Sequence, residues 1–451
     1  MMRYLLSVSL LLGMACADAR AQATMQPVAV PEPILPTAAP PEAAPPASAP
    51  PAPEVEPRPA SIWERDTLTD RWFGAGEKLS EGGLSLNLDL TQVYQQNVRG
   101  GLSTHRRAGR YSGRFDLELD ADMEKLAGLS GGRVYALARG GWSDGIDEPS
   151  VASLFGVNGV TVGDRPIDVW QLYYEQSLLD KALILRVGKL DLTAGFECAG
   201  CPASFDGSSF TNDEATQFLD GSLINNPTIP FPEPGLGAIV HVQPVEWWYV
   251  SAAVADARAD VRETGFSTAF RGRSDVFSIY ETGFTPALPS AKGPLQGAYR
   301  FGLWYDAQPK DRFNGRGAKH DDVGFYTSCD QVLWREADKA DDSQGLGAFA
   351  RYGAADSAVN EVKSFWSMGL QYQGLVPGRD NDVLGFGVGQ GRLSRVAGFT
   401  RSHETVLEWY YNIEMTPWMH VSPDVQYVAN PGGDASVKDA VVVGLRLQMT
   451  F

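Results

Sequence analysis

The sequence predicts an all-β fold: a transmembrane antiparallel β-barrel of about 16 strands with long external loops, preceded by a short N-terminal amphipathic helix. Three observations carry the prediction. In the C-terminal stretch, Val441, Val443, Leu445, Leu447, Met449 and Phe451 share one face of a strand at period two, while Val442, Gly444, Arg446, Gln448 and Thr450 share the other. A strand that is oily along one face and ends at an interfacial aromatic suits the closing strand of an outer-membrane barrel, although the last strand of a secreted β-sandwich would alternate in the same way. Second, no run beyond the first twenty residues stays apolar for the roughly 18 residues a membrane helix needs. The mean hydropathy of −0.19 fits a barrel, where only every second residue of a strand meets lipid. Third, turn signals punctuate the alternation, and the connections between strands run long, then short.

Taken in order, Met1-Met2-Arg3 and the apolar run from Tyr4 to Ala15 read as a secretory signal peptide over residues 1–21, with Ala19-Arg20-Ala21 as a cleavage site. Residues 22–60 form a Pro/Ala-rich leader with thirteen prolines between Pro27 and Pro59. Such a segment favours extended polyproline conformations and buries no core, so it reads as a disordered periplasmic spacer or as an arm that touches the cell wall. Over 61–82, Trp63, Leu68, Trp72, Phe73 and Leu79 among charged residues suggest the amphipathic helix, with Asp66 or Thr67 as its cap.

The barrel occupies 83–451. Leu84, Leu86, Leu88 and Leu90 alternate with Ser85, Asn87, Asp89 and Thr91, and Phe115, Leu117 and Leu119 alternate with Arg114, Asp116, Glu118 and Asp120. Further strand-like runs lie at 133–142, 167–176, 182–190, 236–243, 247–255, 276–285, 296–306, 322–335, 345–353, 365–374, 383–390, 405–415, 419–427 and 441–451. An even number of strands returns both termini to the periplasm, where the leader belongs. The longest connection, 191–235, carries Cys198-Ala199-Gly200-Cys201 and the run Asn226 to Pro234, and is expected to fold into the lumen as a constriction loop.

Export leaves Cys198, Cys201 and Cys329 in a compartment that permits disulfides. A short Cys198–Cys201 staple is the favoured reading, and the scattered histidines offer no metal-ligand spacing. A net charge of −17 argues against a nucleic-acid partner. No nucleophile motif, phosphate loop or specific carboxylate pair points to an enzyme or a cofactor.

Several short motifs occur in order: Trp63-Glu64-Arg65-Asp66-Thr67-Leu68-Thr69, Leu185-Arg186-Val187-Gly188-Lys189-Leu190-Asp191, Gly283-Phe284-Thr285-Pro286, Tyr299-Arg300-Phe301-Gly302-Leu303-Trp304-Tyr305 and the C-terminal strand. Together they resemble the carbohydrate-selective porins of the OprB type. Asp70-Arg71-Trp72-Phe73 stands where a glycine-richer turn is expected. The resemblance implies a sixteen-stranded barrel in a Gram-negative outer membrane, through which glucose and related small sugars diffuse passively past a charged and aromatic constriction. A general diffusion porin, or a structural barrel tethered through its Pro-rich arm, is the alternative.

A sugar offers hydroxyls and apolar ring faces, so a selective pore needs planar guanidinium donors and aromatic surfaces. Strand parity puts Arg114, Asp116 and Glu118 in the lumen, with Arg139 and Arg186 as the matching basic residues on the following strands. These arginines are expected to face carboxylates across the opening, with Trp142, Trp170 and Phe205 as stacking surfaces.

Overall fold

In the computed structural model, residues 61–197, 210–262, 275–337 and 343–451 are described. Sixteen long strands form one closed antiparallel sheet. In chain order these are β1 (Leu84–Gly101), β2 (Gly109–Asp122), β3 (Gly132–Trp142), β4 (Arg165–Leu178), β5 (Leu183–Leu190), β6 (Gly235–Val245), β7 (Trp248–Asp256) and β8 (Val276–Phe284). There follow β9 (Leu295–Asp306), β10 (Asp322–Arg335), β11 (Gly345–Ala355), β12 (Val362–Gln373), β13 (Val383–Leu393), β14 (His403–Thr416), β15 (Met419–Ala429) and β16 (Lys438–Thr450). Each strand pairs with its neighbours in sequence, and β16 closes on β1 from Asp89↔Thr450 to Gly101↔Lys438. The closing strand is thus the one that the apolar alternation marks.

Period two sorts the side chains. On β9, Tyr299, Phe301 and Leu303 point outward and are exposed, whereas Arg300 and Trp304 point inward and are buried. On β16, Val443 and Leu445 are outward and Arg446 is buried inward. A wall studded outside with exposed Leu, Val, Phe and Tyr would aggregate in water and fits a lipid solvent.

The long-then-short rhythm of the connections is clear only in the middle of the chain: 102–108 is shorter than 123–131, whereas 143–164, 191–234 and 257–275 far exceed 179–182, 246–247 and 285–294. The β11–β12 connection is only 356–361, while the turn 285–294 on the opposite end carries its own short pairing of Ala287–Leu288 with Leu295 and Gln296.

Over 61–82 the backbone differs from the expected continuous helix. Asp70, Arg71, Trp72 and Phe73 all take positive φ, at 54°, 49°, 59° and 58°. Each non-glycine residue there costs about 1–2 kcal/mol. The turn is held by Thr67 Oγ1 accepting from the Arg71 amide at 2.7 Å and by Thr69 Oγ1 accepting from the Trp72 amide at 3.1 Å. A right-handed helix follows only at Ala75–Glu81 and buries no residue. The reversal of hand at Gly74 is what prevents one continuous amphipathic face. The segment is tied to the barrel by Trp72 Nε1 donating to Leu86 O at 2.9 Å, Leu68 N to Thr450 O at 2.9 Å and Trp418 Nε1 to Ile62 O at 2.7 Å.

Two inward glycines let aromatic rings lie flat on the wall. Tyr249 covers Gly283 and Tyr326 covers Gly302, so a Cβ at either position would fall inside the ring. Both phenols donate to Glu281, at 2.8 Å from Tyr249 and 2.6 Å from Tyr326. Gly302→Val should therefore displace Tyr326, break its bond to Glu281 and cost about 1–3 kcal/mol, as overpacked sites do. The check is the temperature at which the folded barrel converts to the unfolded band on a heat-modifiability gel, which should fall; an unchanged temperature would mean that the ring has other room.

Candidate permeation site

Two loops run inside the barrel and fasten to its wall through their own backbone. The β5–β6 loop, 191–234, gives the Leu219 and Asp220 amides to the two Glu408 oxygens at 2.5 and 2.8 Å. Arg351 donates to Leu223 O and Ile224 O at 3.2 and 2.8 Å, and Arg446 to Glu214 O at 2.9 Å. Gln371 donates to Phe210 O at 2.7 Å, while Asp330 accepts from Phe210 N at 3.0 Å. The β3–β4 loop, 143–164, lies alongside. Gly159 N donates to Leu219 O at 2.7 Å and Gly221 N to Gly156 O at 3.0 Å, so the two loops bond to each other. Gln95 and Gln426 both donate to Val157 O, at 2.7 and 2.9 Å, and Glu404 accepts from Leu154 N and the Ser153 hydroxyl. Val93, Val160 and Leu219 seal this junction as a small apolar cluster.

Beside these fastenings, a cavity of about 640 Å³ remains between the loops and the wall of β1 to β4, with Gln448 of β16 also lining it. Arg114 is buried in the wall and bridges two carboxylates, Asp116 at 2.9 Å and Glu214 of the longer loop at 2.5 Å. Arg139 grips the same Asp116 with a fork, Nε to Oδ1 at 2.6 Å and Nη2 to Oδ2 at 3.1 Å. Burial alone would push the Glu214 carboxyl up, but Arg114 and Arg139 outweigh it and hold that group below its usual range. The Arg139 guanidinium lies 4.7 Å from the centre of the Trp170 ring, and Trp170 Nε1 donates to Asp191 at 2.8 Å. Tyr135 and Tyr173, 5.2 Å apart, extend the aromatic surface along the lining.

The expected residues separate into four groups. Arg114, Asp116, Glu118, Arg139 and Trp170 all line the cavity. Arg186 is inward but is not among the lining residues: its Nε donates to Glu175 at 2.6 Å, and its guanidinium lies 5.4 Å from the centre of the Tyr173 ring. It belongs to a ladder in which Arg133 bonds Asp120 and comes within 4.0 Å of Glu175. Trp142 does not reach the lumen. It pairs across from Gly113 and packs on the exposed Tyr111 at 5.9 Å, on the outward face. Phe205, Cys198 and Cys201 lie outside the described residues. The charge pairs also differ from the expected arrangement across an opening: Asp116 is a wall neighbour of both its arginines, and only Glu214 crosses from the loop.

Glu214, Tyr135, Tyr173 and the whole β3–β4 loop are contributors that the sequence reading did not single out. For the loop there was a signal: Val151, Leu154, Phe155, Val157 and Val160 are too apolar for a segment facing only water, and Val151, Val157 and Val160 are fully buried.

The model of the carbohydrate-selective porin, OprB family, matches residues 106–451. Porin B of Pseudomonas aeruginosa is 25% identical over 437 residues, covering 87% of this chain and 92% of that protein. The putative porin QuiX of Acinetobacter baylyi is 21% identical over 426 residues, covering 86% and 94% of the two chains. Among solved structures, the high-pH structure of Pseudomonas putida OprB superposes with a TM-score of 0.73 at 21% identity, covering 87% of this chain and all of that one, which supports the barrel fold. With its closed sixteen-stranded barrel and loop-lined cavity, the chain belongs to the carbohydrate-selective porins of the OprB family, channel proteins of the Gram-negative outer membrane rather than enzymes.

Proposed function

We propose that the cavity between the β5–β6 loop and the wall of β1 to β4 is the selective element for passive diffusion of glucose and sugars of similar size. The observation that carries this reading is the pairing of a fixed guanidinium layer, Arg114 and Arg139, with the Trp170 ring beneath it. Guanidinium edges and carboxylates exchange hydrogen bonds with sugar hydroxyls, and the ring receives an apolar sugar face. Because both arginines are already oriented by Asp116, little ordering accompanies sugar binding, and each contact stays weak enough to release. On the same reading, residues 1–21 are a cleaved signal, 22–60 a periplasmic leader, and both termini face the periplasm. The outward apolar band contacts outer-membrane lipid, and Cys198 and Cys201 form a short disulfide within the long loop.

The test is single-channel conductance in a planar bilayer, titrated with glucose, sucrose and a neutral non-sugar solute of similar size. Saturable block by glucose but not by the control supports the reading; conductance with no sugar block leaves a general diffusion porin. Trp170→Ala should weaken glucose block several-fold, the scale set by about 0.5–1.5 kcal/mol for one aromatic contact. Equal block in wild type and variant would remove Trp170 from the binding surface.

A further inference from the structure

The same cavity carries a charge imbalance that bears on which permeants it admits. Arg114, Arg139, Asp116 and Glu214 form a knot of two cations and two anions that is neutral overall. Asp89, Glu118, Asp191, Asp213 and Glu233 also line the cavity, and among the described residues none has a cationic group within ion-pair distance.

Neutral donors hold four of these five carboxylates. Asp89 accepts from Thr450 Oγ1 at 2.6 Å and Gln448 Nε2 at 3.2 Å. Asp191 accepts from Trp170 Nε1 at 2.8 Å and Thr193 Oγ1 at 2.6 Å. Asp213 accepts from the Ala215 amide at 2.9 Å and from the Thr216 hydroxyl. Glu118 takes a hydrogen bond from the Tyr135 phenol. Hydrogen bonds of this kind fix a carboxylate in place without neutralising it. Arg446, which reaches the loop behind Glu214, already faces Glu408, Asp424 and Asp213, so it does not reverse the sign of the lining.

A water-filled passage walled by low-dielectric protein focuses the field of such fixed charges, and the Debye length of about 10 Å at 0.1 M salt leaves them unscreened across a cavity of this size. We infer that the cavity selects by charge as well as by sugar shape, and that it admits cationic and neutral permeants, protonated amino sugars among them, while rejecting sugar acids and other anions. The inference rests on the reading of this cavity as the selective element. A protonated aminohexose would keep the ring face for Trp170 and place its ammonium against the unpaired carboxylates. A hexuronate of the same size would meet them with like charge.

The experiment is the reversal potential of the refolded wild-type channel in a potassium chloride gradient at 0.1 M mean salt, with block measured separately for glucose, glucosamine and glucuronate at neutral pH. Potassium should exceed chloride in permeability by on the order of tenfold, with glucosamine blocking at lower concentration than glucose and glucuronate not blocking. The double variant Asp213→Asn, Glu233→Gln keeps the size of both side chains and an acceptor oxygen for the Ala215 amide, and its new amide nitrogen can donate to the Thr216 hydroxyl. It should bring the permeability ratio well down toward unity. A wild-type channel that prefers chloride, or a ratio unmoved by the double variant, overturns the inference. Cation preference together with absent glucose block leaves the charge selection standing and overturns the sugar reading alone, so the two failures are distinct.

Discussion

Arg114→Ala should abolish measurable glucose block and raise single-channel conductance, with the barrel still folded. The side chain of Arg114 is 6% exposed, against 13% for Asp116 and 20% for Glu214, so both of its ion pairs are largely withdrawn from water. Removing one partner of a buried pair costs about 3–5 kcal/mol, because the remaining charge is left uncompensated. The loss falls unevenly. Asp116 keeps the Arg139 fork, whereas Glu214 has no second cation at ion-pair distance among the described residues. The loop carrying Glu214 should therefore withdraw from the wall at that point and widen the passage. Arg114→Lys separates charge from geometry, since an ammonium on a flexible stem cannot span Asp116 and Glu214 with the same planar fork. It should retain the ionic permeability ratio yet weaken glucose block. Conductance traces with glucose titrations on both variants provide the check, and undiminished block in Arg114→Ala would show that this arginine braces the wall and nothing more.

How much of this was legible in the sequence depends on the kind of information each residue encodes. Period two separates lumen from exterior, so Arg114, Asp116, Glu118 and Arg139 are assigned to the inside from the chain alone. The same rule excludes Trp142, which lies three residues after Arg139 and so must face the other way. Parity does not report height along the barrel axis, which is why Arg186 is inward yet sits in the Glu175 ladder away from the cavity. Trp170 breaks parity in the opposite sense. Across β3 and β4 the register steps from Leu137↔Gln171 to Ala138↔Val169, leaving Trp170 as the extra residue of a bulge, and this turns its ring to the lumen beside Gln171. Nothing in the local sequence announces that step. Glu214 was hidden for a different reason: the path of its loop is set largely by wall side chains that grip backbone N–H and C=O groups, which every residue possesses.

That mode of fastening makes Glu408 the second residue whose loss should have a large effect. It is fully buried on β14, and its two oxygens take the Leu219 and Asp220 amides, 189 and 188 residues away in the chain. Asp220 then caps the short helix Gly221–Ile224 by accepting from Ser222 N at 2.9 Å, and Arg351 takes the carbonyls at its far end. The loop is thus held by carboxyl oxygens at its amides and a guanidinium at its carbonyls, in keeping with the polarity of a helical turn. Burial, against the bonds from Ser222 and with Glu404 and Asp147 nearby, pushes the Asp220 carboxyl up to about 8, so near neutral pH it is mostly protonated and repels these carboxylates little. Glu408→Gln keeps the shape but offers an amide nitrogen where an oxygen is needed, leaving one buried N–H without an acceptor at a cost of about 1–3 kcal/mol; Glu408→Ala leaves two. Both variants should fold, since the strand ladder of β14 with β13 and β15 does not use this side chain. Their open-channel current should become noisy as the loop samples positions off the wall, more so for alanine than for glutamine, with glucose block weakened in the same order. Current as quiet as wild type in both variants would mean that Arg351, Gln371 and Asp330 suffice to hold the loop, and that Glu408 serves only the packing of the wall.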